Sequence, residues 1–174
     1  DISKDLWGGH DYLPQVWDEW LRDKNGRLLV ATIGKARVGV AHAYFQAPDV
    51  AWLEGLRVHP EYRGQGIGGK LNSALTKWAA SKGAKVARLC TGSSNTASRR
   101  HIAKVDFRVL QEFLRLDTSK RTGEKPAGIT RPRRANRSLW DWLLSRPELF
   151  ENKGMYSDGW IWHPLNTRSF SRLL

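Results

Sequence analysis

Arg63-Gly64-Gln65-Gly66-Ile67-Gly68-Gly69-Lys70 is the stretch of this chain best suited to chemistry. It follows an apolar run, Ala51 to Val58, and a short break, His59-Pro60-Glu61-Tyr62. It opens a segment in which Ile67, Leu71, Ala74, Leu75 and Trp78 share one helical face. A glycine-rich turn between a strand and a helix gathers backbone N–H groups around one point, where the helix dipole adds about half a positive charge. The product is a cradle for phosphate or pyrophosphate. Two common phosphate loops fit these residues poorly. Gly64, Gly66 and Gly69 satisfy G-x-G-x-x-G, but a dinucleotide site needs an acidic residue about 20 positions later. The next strand-like run, Ala84 to Cys90, leads into Thr91-Gly92-Ser93 with no carboxylate. The P-loop pattern fails where Ser or Thr must hold magnesium, because that position is Leu71.

A second chemical group stands just upstream. Glu54 is an isolated carboxylate in an apolar strand, between Trp52-Leu53 and Leu56. Strand alternation puts it on one face with Leu56 and Val58, looking into the same cleft. A carboxylate there could take a proton from an incoming nucleophile.

The elements that must position these groups can be read from spacing. Leu13, Val16, Trp17, Trp20 and Leu21 mark a first helix, with Pro14 in its first turn and Gly26 beyond its end. Leu28 to Ile33 and Val38 to Phe45 read as a hairpin around Gly34-Lys35-Ala36-Arg37. Ala51 to Val58 is the next strand, followed by the glycine loop, its helix, and strand Ala84 to Cys90. A polar helix from Asn95 to Lys104 leads into an expected strand, Phe107 to Leu116. The order is that of an α+β fold around a mixed, twisted sheet flanked by helices. Residues 117–174 form an aromatic-rich C-terminal extension, expected to pack on the core formed by residues 1–116. Thr118 to Ser138 is a basic polar stretch that reads as a solvated loop and holds Arg131, Arg133, Arg134 and Arg137. Beyond it a helix from Ser138 to Leu144, capped by Ser138, a strand from Gly159 to His163 and a helix from Leu165 to Leu174 are expected. Trp140, Trp142, Trp160 and Trp162 are expected to be mostly buried.

Composition narrows the class. A chain of 174 residues supports one well-buried domain. It has no run of 18 apolar residues and no signal-peptide pattern, so a protein without membrane partners is expected. The single Cys90 reads as a buried, inert thiol and suits a cytoplasmic setting. Asp1 is no initiator methionine, which leaves room for residues before it. No cluster with metal-ligand spacing is visible. Residues 1–60 carry seven Lys/Arg against eight Asp/Glu, and residues 61–174 carry 22 against nine. Such asymmetry fits a polyanionic partner, either nucleic acid or coenzyme A with its pyrophosphate and 3′-phosphate.

The third reading of the glycine loop is a family resemblance. Arg63-Gly64-Gln65-Gly66-Ile67-Gly68 resembles the R/Q-x-x-G-x-G/A acetyl-CoA loop of the GNAT N-acetyltransferases. Leu56-Arg57-Val58-His59-Pro60-Glu61-Tyr62 is similar to that family's approach to the loop. The resemblance implies that backbone atoms of Leu56, Arg57 and Val58 hold the acetyl and pantetheine arm, with the Val58 N–H as oxyanion donor. It implies that Arg63, Gly64, Gln65, Gly66, Ile67 and Gly68 take the pyrophosphate, and that Glu54 acts as base, directly or through water. The family's N-x-x-A-x-x-x-Y-x-x-x-G-F pattern falls on Asn95 to Phe107. Asn95 matches and is implied as a partner of the pantetheine or phosphate region. Ser98 and Asp106 depart, and Ile102 occupies the place of the phenol that protonates the thiolate. His101 beside it reads as a surface histidine. The family's core also begins with one strand more than this chain shows.

A narrower resemblance joins Gly8-Gly9-His10-Asp11-Tyr12-Leu13-Pro14, Trp20-Leu21-Arg22-Asp23, Glu54-Gly55-Leu56-Arg57-Val58 and Lys85-Val86-Ala87-Arg88-Leu89. It points to the branch containing vertebrate histidine Nα-acetyltransferase, and it places Asp11 and Tyr12 beside the acceptor. The implied activity is acetyl transfer from acetyl-CoA to a primary amine of a small molecule, an amino acid among the options, in a ternary complex. A protein N-terminus is an alternative acceptor. The alternative class is a nucleic-acid-binding module on a GNAT-like core. It would use Arg99, Arg100, Lys104, Arg108, Arg115, Lys120, Arg121, Arg131, Arg133, Arg134 and Arg137.

Overall fold

A computed structural model describes residues 9–114 and 136–173, together with Ile2, Gly123, Gly128 and Arg134. Gly8, Arg115, Lys120, Arg121, Arg131 and Arg133 lie outside the described residues. The chain forms two compact units, residues 1–107 and residues 108–174.

In the first unit, helix α1 (Leu13–Arg22) precedes strands β1 (Gly26–Ile33), β2 (Ala36–Ala47) and β3 (Val50–Val58). A single 3-10 turn at Pro60–Tyr62 leads to the glycine loop. Helix α2 (Ile67–Ser81), strand β4 (Val86–Arg88) and helix α3 (Thr96–Ala103) complete the unit. The sheet runs β1-β2-β3-β4, antiparallel except for the parallel β3–β4 pair. The crossover helix α2 makes that parallel step possible. Among the described residues no strand precedes α1.

The sheet's two faces are filled differently. On one face α2 inserts Ile67, Leu71, Leu75 and Ala79 against Ala41, Ala43, Ala51 and Leu53. Gly39 makes this packing possible, since a Cβ there would sit 3.0 Å from Leu71 and 3.1 Å from Ile67. On the other face α1 places Leu13 and Trp20 against Val40. Leu21, expected on the buried face of α1, is 62% exposed.

Strand β4 is shorter than the expected Ala84–Cys90 run, and Cys90 is exposed rather than buried. The expected strand from Phe107 is absent over the described residues 107–114, which join neither sheet. An apolar run forms a strand only where a partner edge exists, and Val109 and Leu114 are exposed here.

The second unit holds helices α4 (Arg137–Leu144) and α5 (Pro147–Glu151), a hairpin of β5 (Met155–Asp158) and β6 (Ile161–Pro164), and helix α6 (Thr167–Leu173). The cap of α4 is Asn136, whose Oδ1 accepts from the Leu139 N–H at 2.8 Å, and not Ser138. Met155 and Phe170 are buried, and Trp140 packs on Phe170 at 5.1 Å between ring centres. The expectation that the four tryptophans are mostly buried is corrected. Trp142 and Trp160 are each 54% exposed, because so small a unit has little interior to offer them.

Candidate functional site

The glycine loop has the backbone that its sequence requires. Gly64 and Gly66 sit at φ of +79° and +76°, a region that L side chains avoid, and open space surrounds each where a Cβ would be. Gly66 is the N-cap of α2, and no side chain caps the helix's first N–H groups. Ile67 is buried, so only its backbone faces the loop. Gly68 lies against the end of β3, 3.6 Å from Leu56 and 3.9 Å from Val58 at the position of a Cβ. Gln65 is exposed at the loop's tip. Exposed Arg63 donates from Nε to the Val58 carbonyl at 3.1 Å, so its side chain braces the loop against the strand. These open N–H groups fit a phosphate. A shallow groove beside them is lined by Gly66, Gly69, Lys70, Ser73, Ala74 and Lys77. The two lysines add positive charge next to the helix N-terminus.

Strands β3 and β4 part company just before this loop. Their register ends at Trp52↔Arg88, while β3 runs on to Val58. The His59 N–H donates to the Val38 carbonyl at 2.9 Å, which makes Gly39↔Val58 a pair without mutual hydrogen bonds. The Val58 N–H therefore turns away from β2, toward the edge that β4 has left. An oxygen lying there would meet it.

The expected alignment of Glu54 with Leu56 and Val58 is corrected. Val40 faces Arg57 and His42 faces Glu54, so β3 carries one residue more than β2 between these pairs. That extra residue is a β-bulge, and Gly55 in it sits at φ +66°. A Cβ on Gly55 would collide with the Trp20 ring. Beyond the bulge the alternation is reversed. Leu56 and Val58 pack with the α2 core, whereas Glu54 and Arg57 face the α1 side.

On that side the polar groups are closely engaged. Asp11 is 5% exposed, and its two oxygens accept from Arg57 Nε and Nη2, both at 3.0 Å. Arg57 Nη1 donates to the Leu56 carbonyl at 3.0 Å. Asp11 also accepts from the Leu13 N–H at 3.3 Å, which anchors the start of α1. The Tyr12 ring lies edge-on to Trp20 at 6.2 Å, with the Arg57 guanidinium 5.5 Å from its centre. Burial holds the Tyr12 phenol above its ordinary value of 10.0, helped by the Glu54 and Asp11 charges and opposed by Arg57 and a Gly55 backbone hydrogen bond. Asp11, Tyr12, Glu54 and Arg57 thus meet around the bulge. Asn95 is placed apart from them, as the cap of α3, with its Oδ1 accepting from the Ser98 N–H at 3.1 Å. His101 is half-buried rather than a free surface group. Its Nε2 meets the Asn72 amide at 2.9 Å, and burial followed by the Lys104 charge lowers its pKa.

The sequence pattern of the acetyltransferase (GNAT) family matches residues 2–107. The chain belongs to that family.

Relatives of this GNAT chain include an uncharacterized N-acetyltransferase of Archaeoglobus fulgidus, 36% identical over 97 residues, covering 52% of this chain and 66% of the relative. The histidine N-acetyltransferase of Oreochromis niloticus is 37% identical over 71 residues, which cover 40% of this chain and only 21% of that enzyme. An aminoglycoside N(6′)-acetyltransferase of Salmonella typhimurium is 29% identical and covers 57% of this chain and 75% of that one. The fold is also that of AAC(6′)-Iy in complex with a CoA bisubstrate analogue. That match has a TM-score of 0.58 at 24% identity and covers 67% of this chain and 86% of the other.

Three residues of the GNAT unit near the bulge escaped the sequence reading. His42 on β2 lies opposite Glu54, Asp23 follows α1, and Arg88 ends β4. Ala87 and Leu89 pack with the α2 core, so Arg88 between them belongs to the Glu54 face. Its Nε and Nη1 are closed off from solvent with no hydrogen-bond partner. The available signals were Trp20-Leu21-Arg22-Asp23 and Lys85-Val86-Ala87-Arg88-Leu89, which mark these stretches without saying what their charged members touch. Among the described residues no cluster of His, Cys, Asp and Glu could hold a metal, and no helix is long and apolar enough to cross a membrane.

Proposed function

We propose that this protein moves an acetyl group from acetyl-CoA to the primary amine of a small molecule. The observation that carries the reading is the bulge at Gly55. It turns the Val58 N–H onto the open β3 edge, which leads straight into the glycine loop, while Glu54 stays on the opposite face. Donor and acceptor can then approach one backbone segment from two sides. The amine lone pair attacks the thioester carbonyl, and the C–S bond breaks as the amide C–N bond forms. The Val58 N–H stabilises the charge that grows on the carbonyl oxygen. Glu54 takes the amine proton, and the thiolate leaves to be protonated from solvent. The N–H groups from Gly64 to Gly68 hold the pyrophosphate, and Lys70 and Lys77 extend the positive surface beside it.

For the acceptor, we favour an amine that also carries a carboxylate. Arg88 brings a cation to the Glu54 face where β3 and β4 part, and two of its nitrogens have no hydrogen-bond partner, which suits an amino acid and repels a polyamine. A panel assay following CoA release tests both levels. Amino acids should be turned over faster than the amines formed by removing their carboxylate. Acetyl-CoA should raise the melting temperature and an oligonucleotide should not. The reverse thermal result would favour a nucleic-acid-binding module. Glu54→Gln should lower turnover by roughly 10²–10⁴-fold with donor affinity kept. Unchanged turnover would remove Glu54 from the mechanism.

A further inference from the structure

His42 is 1% exposed and sits in the middle of the face that holds the proposed base. Its ring is stacked on Trp20, 4.5 Å between centres and 12° from parallel, and on Tyr44 at 5.9 Å. Nδ1 lies 3.1 Å from Glu54 Oε1. An ionised carboxylate can only accept, so in that bond the imidazole donates its Nδ1–H. The opposite nitrogen, Nε2, lies 3.8 Å from Asp23 Oδ2, beyond hydrogen-bond length, and has no hydrogen-bond partner. The room for this approach comes from Gly26, where a Cβ would collide with Asp23 Oδ2 and come within 2.7 Å of His42 Nε2. Two carboxylates thus flank one buried ring. The Glu54 side chain is 13% exposed and that of Asp23 25%.

We propose that His42 is a positioning residue for the acetyl-transfer reaction, a proposal that rests on the reading of Glu54 as the base. The stacked ring cannot tilt without leaving Trp20 and Tyr44, so its Nδ1–H fixes one carboxylate oxygen of Glu54 in place. With Oε1 held, the other oxygen is aimed consistently at the acceptor amine. Asp23 faces Nε2 on the far side of the ring at 3.8 Å. The titratable and charged groups around the ring are Glu54 on β3, Asp23 after α1 and Tyr44 on β2, with Arg57 and Tyr12 next to Glu54. A buried histidine serving only as core filler would need neither carboxylate.

Two replacements separate the ring's packing from its donor. His42→Phe keeps a flat ring for Trp20 and removes the N–H. His42→Asn gives up the stacking and keeps an amide N–H near the position of Nδ1. The expected result for His42→Phe is a fall in kcat of roughly 10- to 100-fold, the size of one hydrogen bond to a charged group. Its acetyl-CoA affinity and its KM for the amine should be kept. His42→Asn should recover part of the rate. Circular dichroism and acetyl-CoA titration on the same samples report folding, and Asp23→Asn gives an independent arm with a smaller fall in kcat. Glu54→Gln, run in parallel, keeps the two levels distinct. If it loses turnover while folded His42→Phe has the parent's kcat, the positioning role is overturned and the base stands. If Glu54→Gln keeps turnover, the base reading itself fails. Should His42→Phe not fold, a parent-like kcat in both His42→Asn and Asp23→Asn overturns the proposal.

Discussion

The two faces of the four-stranded sheet are built to different specifications. The α2 face is dry and made of small and branched apolar groups, with Ala41, Ala43, Ala51 and Leu75 each fully buried. The α1 face carries a buried Asp11–Arg57 pair, a buried histidine between two carboxylates, and a tryptophan pressed onto a strained glycine. Burying charge is costly unless it is paired, and a paired charge is seldom more stabilising than a well-packed apolar group. The contrast fits the proposal, in which the α2 face contributes mainly stability and the α1 face the acceptor side of the site. The strands belong to both, so each β3 side chain faces one or the other, with the alternation reversed at the Gly55 bulge.

The largest effect expected from breaking this arrangement is at the ion pair. Asp11→Ala leaves Arg57 without its two carboxylate bonds and should destabilise by about 3–5 kcal/mol. The sharper version is the double replacement Asp11→Leu with Arg57→Met. It should recover most of that loss in chemical denaturation and still leave turnover impaired. A double variant as unstable as Asp11→Ala would mean that the pair is there for stability. On the opposite face Leu75→Ala should cost about 2–5 kcal/mol, with turnover per folded molecule nearly unchanged. Loss of turnover in that variant below its melting temperature would blur the division between the faces.

Gly55 joins the two specifications. Gly55→Ala forces an L residue to φ +66°, which costs roughly 1–2 kcal/mol, and displacement of Trp20 adds to that. The variant should lose stability and turnover together, because the ring displaced by the new methyl is the one on which His42 stacks. Parent-like turnover in a folded Gly55→Ala would show that the bulge tolerates repacking without consequence for the site.

Much of this was legible in the sequence, and the failures have physical causes. Helices α1, α2 and α3 and strands β1 to β3 follow from periodicity and from glycine and proline at their ends, all local signals. The face of Glu54 was not legible, because alternation assumes an unbroken strand and a bulge reverses it. Gly55 inside a strand was the one hint available. The missing strand after Phe107 failed for a related reason. Its apolar content suited a strand, but pairing is decided by a distant edge that the local sequence does not describe. His42 was invisible in the same way, since its partner is Glu54, twelve residues on, and their meeting depends on register.

The smallest expected effect concerns a buried polar residue on the α2 helix. Asn72 of α2 is 3% exposed, and its amide is satisfied by His101 of α3. Burial lowers the His101 pKa from its ordinary value of 6.5, so the folded protein prefers the neutral ring. The sign of the consequence follows. Below 6.5 the unfolded chain takes up a proton that the folded chain resists, so stability present above that pH is lost as the pH falls through the folded value. Denaturant unfolding at closely spaced pH values should therefore show a stability loss on the acid side that His101→Gln reduces, and NMR should place the His101 titration below 6.5. Gln can still meet the Asn72 amide, so the two proteins should converge above neutrality. If His101→Gln is instead equally destabilised at every pH, the ring's contribution is packing against Gly69, 3.6 Å from the position of a Cβ there, and not the protonation preference.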